Sequence, residues 1–368
     1  MRIAIDARMI AHSGIGSSVR GLLHGLAAID APHTYVVFAG VRGRTQIPES
    51  ERFEIRAAEV PIYSLAEHLR MPARFRAARC DVVHVPHYDL PIGTPAPCVV
   101  TVHDLLHLRR PGLLRGPLQA TTAGFLLRHA VARADAILAV SETTRDELIR
   151  VLGVEPERIR VIPNGLDPSY RPPESARIEA LRGRLELPPR FLLYVGLLRP
   201  HKNIVRMVEA FERAARVAGP LALVLRGRPE ARYREVLSAI EVARRSADIR
   251  LLDEHVAAGD MPCLYAAASA YVQPSLHEGF GLPPLEAIAC GVPVLAADAG
   301  ALPEVLGDAA LFVEPLDTGA IAAGMVRILT DSTLRSELMA RGRKRIEHFD
   351  WRSSARATLA VYEQVARG

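Results

Sequence analysis

The chain predicts an α/β protein made of two Rossmann-like halves, and three observations predict it. Short apolar runs of strand length alternate with helix-length segments from end to end, the pattern of parallel sheets joined by crossover helices. At 368 residues the chain is too long for one ordinary core. Near its middle, Asp167-Pro168-Ser169-Tyr170-Arg171-Pro172-Pro173 suits neither helix nor central strand, so it reads as the join. The expected domains are therefore residues 1–168 and 169–350, followed by a last helix from about 351 to 368.

The strand-like runs of the first half are 3–7, 34–38, 82–85, 98–102, 136–140 and 159–162. Ser141 follows one of them as the N-cap of the next helix. In the second half the runs are 191–195, 221–226, 249–252, 270–272, 292–296 and 310–313. Pro283 and Pro284 fit a first helical turn, whose N–H groups have no intrahelical partner, and Gly291 and Pro293 end that helix. Short internal repeats and low-complexity tracts are absent from the sequence.

Composition excludes several functions. Hydrophobic content of 49% with 24% charge is that of a globular protein, and no apolar run approaches the roughly 18 residues of a membrane span. The first residues read as a strand rather than a signal peptide, which predicts a cytoplasmic location. The net charge is +5, yet only Lys202 and Lys344 among 46 basic residues are lysines, and aromatic content is 5%. Scattered arginine with few aromatics does not make a nucleic-acid stripe. Cys80, Cys98, Cys263 and Cys290 lie far apart in apolar stretches, as reduced core cysteines do.

The most informative segment is Ser275-Leu276-His277-Glu278-Gly279-Phe280-Gly281-Leu282-Pro283-Pro284-Leu285-Glu286-Ala287. It puts one carboxylate in a glycine-rich turn and a second, seven intervening residues later, at the start of a helix. Both are expected at the carboxyl edge of a parallel sheet, where open α/β folds bind ligands. A carboxylate accepts two hydroxyl hydrogen bonds and so suits a sugar or a ribose. Residues 191–196 form a strand ending at a glycine, and Arg199 and Lys202 sit in the loop before the next helix. Two cations beside a helix N-terminus make a diphosphate site. Lys202 stands out because this chain otherwise writes its cations as arginine, and a compact ammonium is not interchangeable with a guanidinium.

This segment, with its Glu-x7-Glu spacing, resembles the family-4 retaining glycosyltransferases of the GT-B fold. Residues 6–16, Val102-His103-Asp104, residues 195–203, Ile162-Pro163-Asn164-Gly165-Leu166-Asp167 and Phe349-Asp350-Trp351 resemble the same family in the same order. The resemblance covers essentially the whole chain. It implies two Rossmann-like domains facing each other across a deep cleft, with the last helix crossing back to the first domain. It implies a transferase moving a hexose from a nucleotide-diphosphate sugar, with retention and without a divalent metal or other cofactor. The sequence shows no Asp-x-Asp motif for a metal that bridges a diphosphate.

By the same resemblance, Arg199 and Lys202 neutralise the leaving diphosphate and Glu286 takes the ribose hydroxyls. Glu278 faces the transferred sugar alongside backbone N–H groups of Gly279, Phe280 and Gly281, with Leu282 completing that donor-binding turn. His103 lines the sugar site, and Asp104 holds its loop or ring. Gly16, in Gly14-Ile15-Gly16, lets backbone approach the diphosphate, although a lone Gly-x-Gly is also an ordinary tight turn. His87 and Tyr88, in His84-Val85-Pro86-His87-Tyr88, resemble an acceptor-side segment of mannose-transferring members and point toward a GDP-mannose donor. The expected acceptor is a saccharide or lipid-linked saccharide of surface polysaccharide synthesis. Base recognition is expected from Arg226-Gly227-Arg228 and Leu252-Asp253-Glu254-His255.

Residues 65–79 carry His68, Arg70, Arg74, Arg76 and Arg79 among Leu65, Leu69, Met71 and Phe75. Such a stretch either sits on anionic membrane as a peripheral contact or forms a solvated helical face, and Pro72 is expected to break it as one helix. The alternatives to a transferase are a nucleotide-sugar epimerase, a phosphorylase or a non-catalytic nucleotide-sugar-binding protein of the same fold. Two lysines leave little room for the pyridoxal-binding lysine of a phosphorylase. The sequence does not set the oligomeric state.

Overall fold

A computed structural model describes residues 1–12, 14–95, 97–109, 117–228, 230–243, 248–252 and 256–368, the backbone alone for 117–120. The chain divides into two units. Unit 1 is Met1–Gly165 with Phe349–Gly368, and unit 2 is Leu166–His348.

In unit 1 the described residues form a seven-stranded parallel sheet from β1 (Arg2–Asp6), β2 (Thr34–Ala39), β3 (Phe53–Ala57), β4 (Val82–Val85), β5 (Cys98–Val102), β6 (Ala136–Ala139) and β7 (Ile159–Val161). Their order is β3-β2-β1-β4-β5-β6-β7. The inner strands are apolar along their length because helices cover both faces, as in Ile3-Ala4-Ile5, which is fully buried. Ser141 caps the helix Glu142–Leu152 as expected, its hydroxyl accepting the Thr144 N–H at 3.0 Å.

β3 was not visible in the sequence. It is an edge strand whose residues are half-buried or exposed, so its apolar content is thin. The alternation Phe53, Ile55, Ala57 was the available signal.

The last helix, Trp351–Arg367, packs on the helix Ile15–Ala28. Its N-cap Asp350 accepts from the Arg352 and Ser353 N–H groups. The contact is backbone-close, since a Cβ on Gly21 or Gly25 would lie about 2 Å from Trp351 atoms (1.9 and 2.2 Å).

Unit 2 holds a six-stranded parallel sheet from β8 (Phe191–Val195), β9 (Ala222–Arg226), β10 (Asp248–Leu252), β11 (Ala270–Gln273), β12 (Val294–Ala297) and β13 (Ala310–Val313). The order is β10-β9-β8-β11-β12-β13. In each sheet the strand order reverses beside the first strand, between β1 and β4 in unit 1 and between β8 and β11 in unit 2. Such reversal points open a crevice at the carboxyl ends of the strands.

The basic stretch corrects an expectation. Leu65–Ala78 is one continuous helix with Pro72 inside it. Loss of one backbone hydrogen bond there is offset by burial of Met71, Pro72, Phe75 and Ala78 against the sheet. No described helix is long and apolar enough to cross a membrane. All four cysteines are free, and burial pushes the Cys98 and Cys290 thiols up to about 11 and about 12.

Candidate active site

The unit 2 crevice is built from the two loops that leave β8 and β11. After β8 the chain makes a short 3-10 turn, Pro200–Lys202, passes through Asn203 at φ 61°, and enters the helix Ile204–Ala218. The buried Asn203 amide Nδ2 donates to the Pro274 and Pro315 carbonyls at 2.9 and 2.6 Å, tying the loop to those after β11 and β13. The Leu276 N–H donates to the His201 carbonyl at 2.8 Å, which joins the loops a second time.

These ties place the Lys202 ammonium on Glu278, at 2.7 Å from each carboxylate oxygen. Gln273 Nε2 and the Ser275 hydroxyl also donate to Glu278 Oε1, at 2.6 and 2.7 Å. Burial raises the Glu278 pKa, but the Lys202 charge and these hydrogen bonds outweigh it, so the carboxyl lies below its ordinary value. The sequence pattern named no side-chain partner for Glu278, and the structure supplies Lys202, Gln273 and Ser275. The signal for its supports was faint: Gln273, a polar residue ending an otherwise apolar strand, and Ser275 just beyond it.

Arg199 is likewise engaged. Its Nε donates to Glu230 Oε1 at 2.5 Å, and Arg232 holds the other oxygen at 2.9 Å. His201 between the two cations is buried and neutral, its pKa lowered to about 3 by burial and then by the Lys202 charge.

Glu286 is the fifth residue of the helix Leu282–Ala289 rather than a member of its first turn. It accepts from the Tyr265 hydroxyl at 2.7 Å, and Tyr170 stands edge-on to Tyr265. Gly279 and the buried Phe280 form the turn before that helix. Gly281 is its N-cap at φ 104° and Leu282 its first residue. Arg226 ends β9 with its Nε buried and without a hydrogen-bond partner, while Asp253, Glu254 and His255 lie outside the described residues.

The remaining expected residues belong to unit 1. His103 follows β5, its Nε2–H donating to the Pro86 carbonyl at 3.0 Å, and burial lowers its pKa, so the ring is neutral. Asp104 accepts the Leu106 N–H at 2.9 Å and so shapes the loop. Gly16 starts its helix against backbone, since a Cβ there would lie 2.4 Å from the Ile10 carbonyl oxygen.

His84 is structural. It bridges the Tyr362 hydroxyl at 2.6 Å and the Thr101 hydroxyl at 2.9 Å, fully buried. His87 is buried and held neutral by desolvation, with Tyr88 tilted over it at 4.1 Å. Among the described residues no group of three or more His, Cys, Asp or Glu is arranged to hold a metal ion.

Two family models match the chain: glycosyltransferase family 4 over residues 12–170 and glycosyl transferases group 1 over residues 178–345. The O-antigen chain mannosyltransferase B of Escherichia coli is 34% identical over 310 residues, covering 83% of this chain and 80% of that protein. The chain belongs to the family-4 glycosyltransferases. It is an enzyme of that class, and its two parallel α/β sheets are those of the GT-B fold.

The serotype-specific mannosyltransferase WbdA of Escherichia coli is 27% identical over 316 residues; these span 84% of this chain but only 38% of that longer protein. Among solved structures, sucrose-phosphate synthase from Thermosynechococcus elongatus superposes with a TM-score of 0.80 at 22% identity, over 99% of this chain and 98% of that one. Anabaena Alr3699/HepE in complex with UDP and glucose gives 0.79 at 20% identity, over 99% and 100%. These two establish the fold alone.

Proposed function

We propose that the enzyme transfers mannose from GDP-mannose to a saccharide or lipid-linked saccharide, with retention of configuration and without a divalent metal. The observation that carries this reading is the meeting of Lys202 with Glu278 at the β8/β11 reversal point, with Arg199 on the same loop. A cation pair beside a helix N-terminus suits a leaving diphosphate, and a buried carboxylate next to it suits sugar hydroxyls.

In this reading Arg199 and Lys202 take up the charge that develops on the diphosphate, Glu286 binds the ribose, and Glu278 orients the hexose. The diphosphate departs from the face that the acceptor hydroxyl attacks, through an oxocarbenium-like state, and the departing phosphate accepts the acceptor proton. Protein groups then act by positioning and electrostatics. His103, His87 and Tyr88 take the sugar- and acceptor-side roles that the family resemblance implies for them. Mannose rests on the mannosyltransferase relatives and on the Pro86-His87-Tyr88 segment.

In this reading the diphosphate competes with Glu278 for the Lys202 ammonium, so donor binding frees the carboxylate.

Peripheral membrane contact is part of the proposal. Leu65 and Leu69 are 84% and 78% exposed one turn apart on the basic helix, with Arg70 beside them. Exposed apolar side chains on a helix that also carries arginine suit an anionic lipid surface.

The test is a thermal-shift panel of GDP, UDP, ADP and dTDP in EDTA. A ligand at about 100 times its Kd adds about 2.7 kcal/mol of stability. GDP is expected to shift the protein, and Glu286→Gln to lose most of that shift. No shift with any diphosphate refutes the donor site, and a shift with UDP alone refutes the GDP assignment.

A further inference from the structure

β11 carries two polar residues to which neither the family resemblance nor the relatives assign a role. It is an interior strand, paired with β8 on one side and β12 on the other, and Tyr271 and Gln273 are 0% and 2% exposed. Polar side chains at that depth are costly unless they are hydrogen-bonded. The Tyr271 hydroxyl donates to Gln273 Oε1, and the Val195 carbonyl oxygen lies 3.2 Å from it. Gln273 Nε2 donates to Ser275 Oγ at 2.9 Å and to Glu278 Oε1 at 2.6 Å. The fully buried Ser275 hydroxyl donates to the same carboxylate oxygen at 2.7 Å. The donors therefore run in one direction, from Tyr271 through Gln273 to Glu278.

Elementary chemistry fixes that direction. An ionised carboxylate only accepts, so it must face the amide nitrogen of Gln273, and the amide oxygen is left for a donor. The Tyr271 phenol is that donor, and burial raises its pKa well above the ordinary value, so its proton stays in place. Without the phenol nothing holds the amide against rotation, and a rotated amide would turn its oxygen toward Glu278.

The two oxygens of Glu278 are unequal. Oε1 accepts from Lys202, Gln273 and Ser275, whereas among the described residues Oε2 accepts from Lys202 alone. A diphosphate that draws Lys202 away leaves Oε1 held by two neutral donors and Oε2 open. We propose that Tyr271 and Gln273 are positioning residues, which hold Glu278 by Oε1 and present Oε2 to a hydroxyl of the transferred hexose. The inference rests on the transferase reading above, in which Glu278 faces that hexose.

The test compares the affinity of a nucleotide sugar with that of its own diphosphate, by calorimetry on the full chain. GDP-mannose is set against GDP, and UDP-glucose against UDP beside them. The diphosphate reports on Arg199 and Lys202, and the difference made by the sugar reports on Glu278. Tyr271→Phe and Gln273→Leu each remove polar atoms without adding bulk, so one serves if the other fails to fold. Each is expected to weaken the nucleotide sugar about tenfold and the diphosphate less than about twofold. The double variant is expected to match Gln273→Leu, because Tyr271 acts through Gln273. Each variant should also shift the acid limb of the sugar affinity to higher pH, since Glu278 loses a donor that favours its charged form. A purely structural role lowers both affinities together, and that result overturns the inference. So does a nucleotide sugar bound equally by wild type and the folded variants. Glu278→Gln separates the two readings. If it weakens the sugar while Tyr271→Phe and Gln273→Leu do not, only the positioning role falls. If it too leaves the sugar affinity unchanged, Glu278 does not face the hexose and both fall, as they do if neither pair of ligands binds.

Discussion

The two reversal points of this enzyme solve the problem of burying carboxylates in opposite ways. At β8/β11 one carboxylate, Glu278, meets one ammonium and two neutral donors, and it stays ionised. At β1/β4 the Arg8 guanidinium meets two carboxylates, Asp6 and Glu67, with Asp89 sharing the Tyr63 N–H with Glu67, and burial raises Glu67 to about 8, so a proton is retained at neutral pH. The matched site holds its charges ready for a charged ligand. The mismatched one is sealed from solvent and lowers its excess negative charge by keeping a proton. Similar topology therefore leads to different chemistry through the count of charges alone.

The largest effect is expected where the mismatch is worst. Among the described residues Arg8 is the cation that contacts Asp6 and Glu67, so Arg8→Met breaks a buried pair, at a cost of about 3–5 kcal/mol. Urea unfolding checks this, and a loss below about 1 kcal/mol breaks the comparison.

Next comes the matched site. Lys202→Ala should lower turnover by about 100-fold or more, the scale of a lost charge-stabilising group. It should also cost about 1–3 kcal/mol of stability, because Glu278 loses its cation but keeps Ser275 and Gln273. Adding Glu278→Gln should return part of that stability and none of the turnover. A double-mutant cycle showing no coupling would contradict the pairing.

The pH responses should run in opposite directions. Glu67 is raised from 4.5 to about 8, so its proton is held in the folded state and lost on unfolding. Its contribution is fully present below about pH 4.5 and disappears as pH rises toward 8, and Glu67→Gln should flatten that slope. Glu278 is lowered, so its contribution holds above the ordinary value of 4.5 and is lost as pH falls below it. Thermal melts of wild type, Glu67→Gln and Glu278→Gln between pH 4 and 8.5 separate the two.

The smallest effect concerns the exposed face of unit 1. Leu65→Ser with Leu69→Ser should reduce sedimentation with anionic vesicles and leave thermal stability nearly unchanged, since both side chains already face solvent. No sedimentation of wild type at low salt would remove membrane contact.

Much of this was legible beforehand. The buried parallel strands advertise themselves as unbroken apolar runs, and caps such as Ser141 depend on neighbours a few residues away. Glu278, Glu286, Arg199 and Lys202 were legible as residue types at fixed spacing. β3 was not, because an edge strand buries little, and the helix through Pro72 was misjudged because local propensity yielded to packing. Asp6, Arg8, Glu67 and Asp89 were unreadable as a group. They lie far apart in sequence, and none is unusual alone.

The sequence by itself determined the class of fold, the alternation of strands and helices and the chemistry available at each loop, since these depend on local propensity and short-range periodicity. Only the tertiary structure decided which charges meet. Strand order makes β11 the neighbour of β8 and β4 the neighbour of β1, bringing Glu278 to Lys202 and Asp89 to the Asp6–Arg8 pair. Burial then sets whether each carboxyl keeps its proton, and burial is a property of the packed chain.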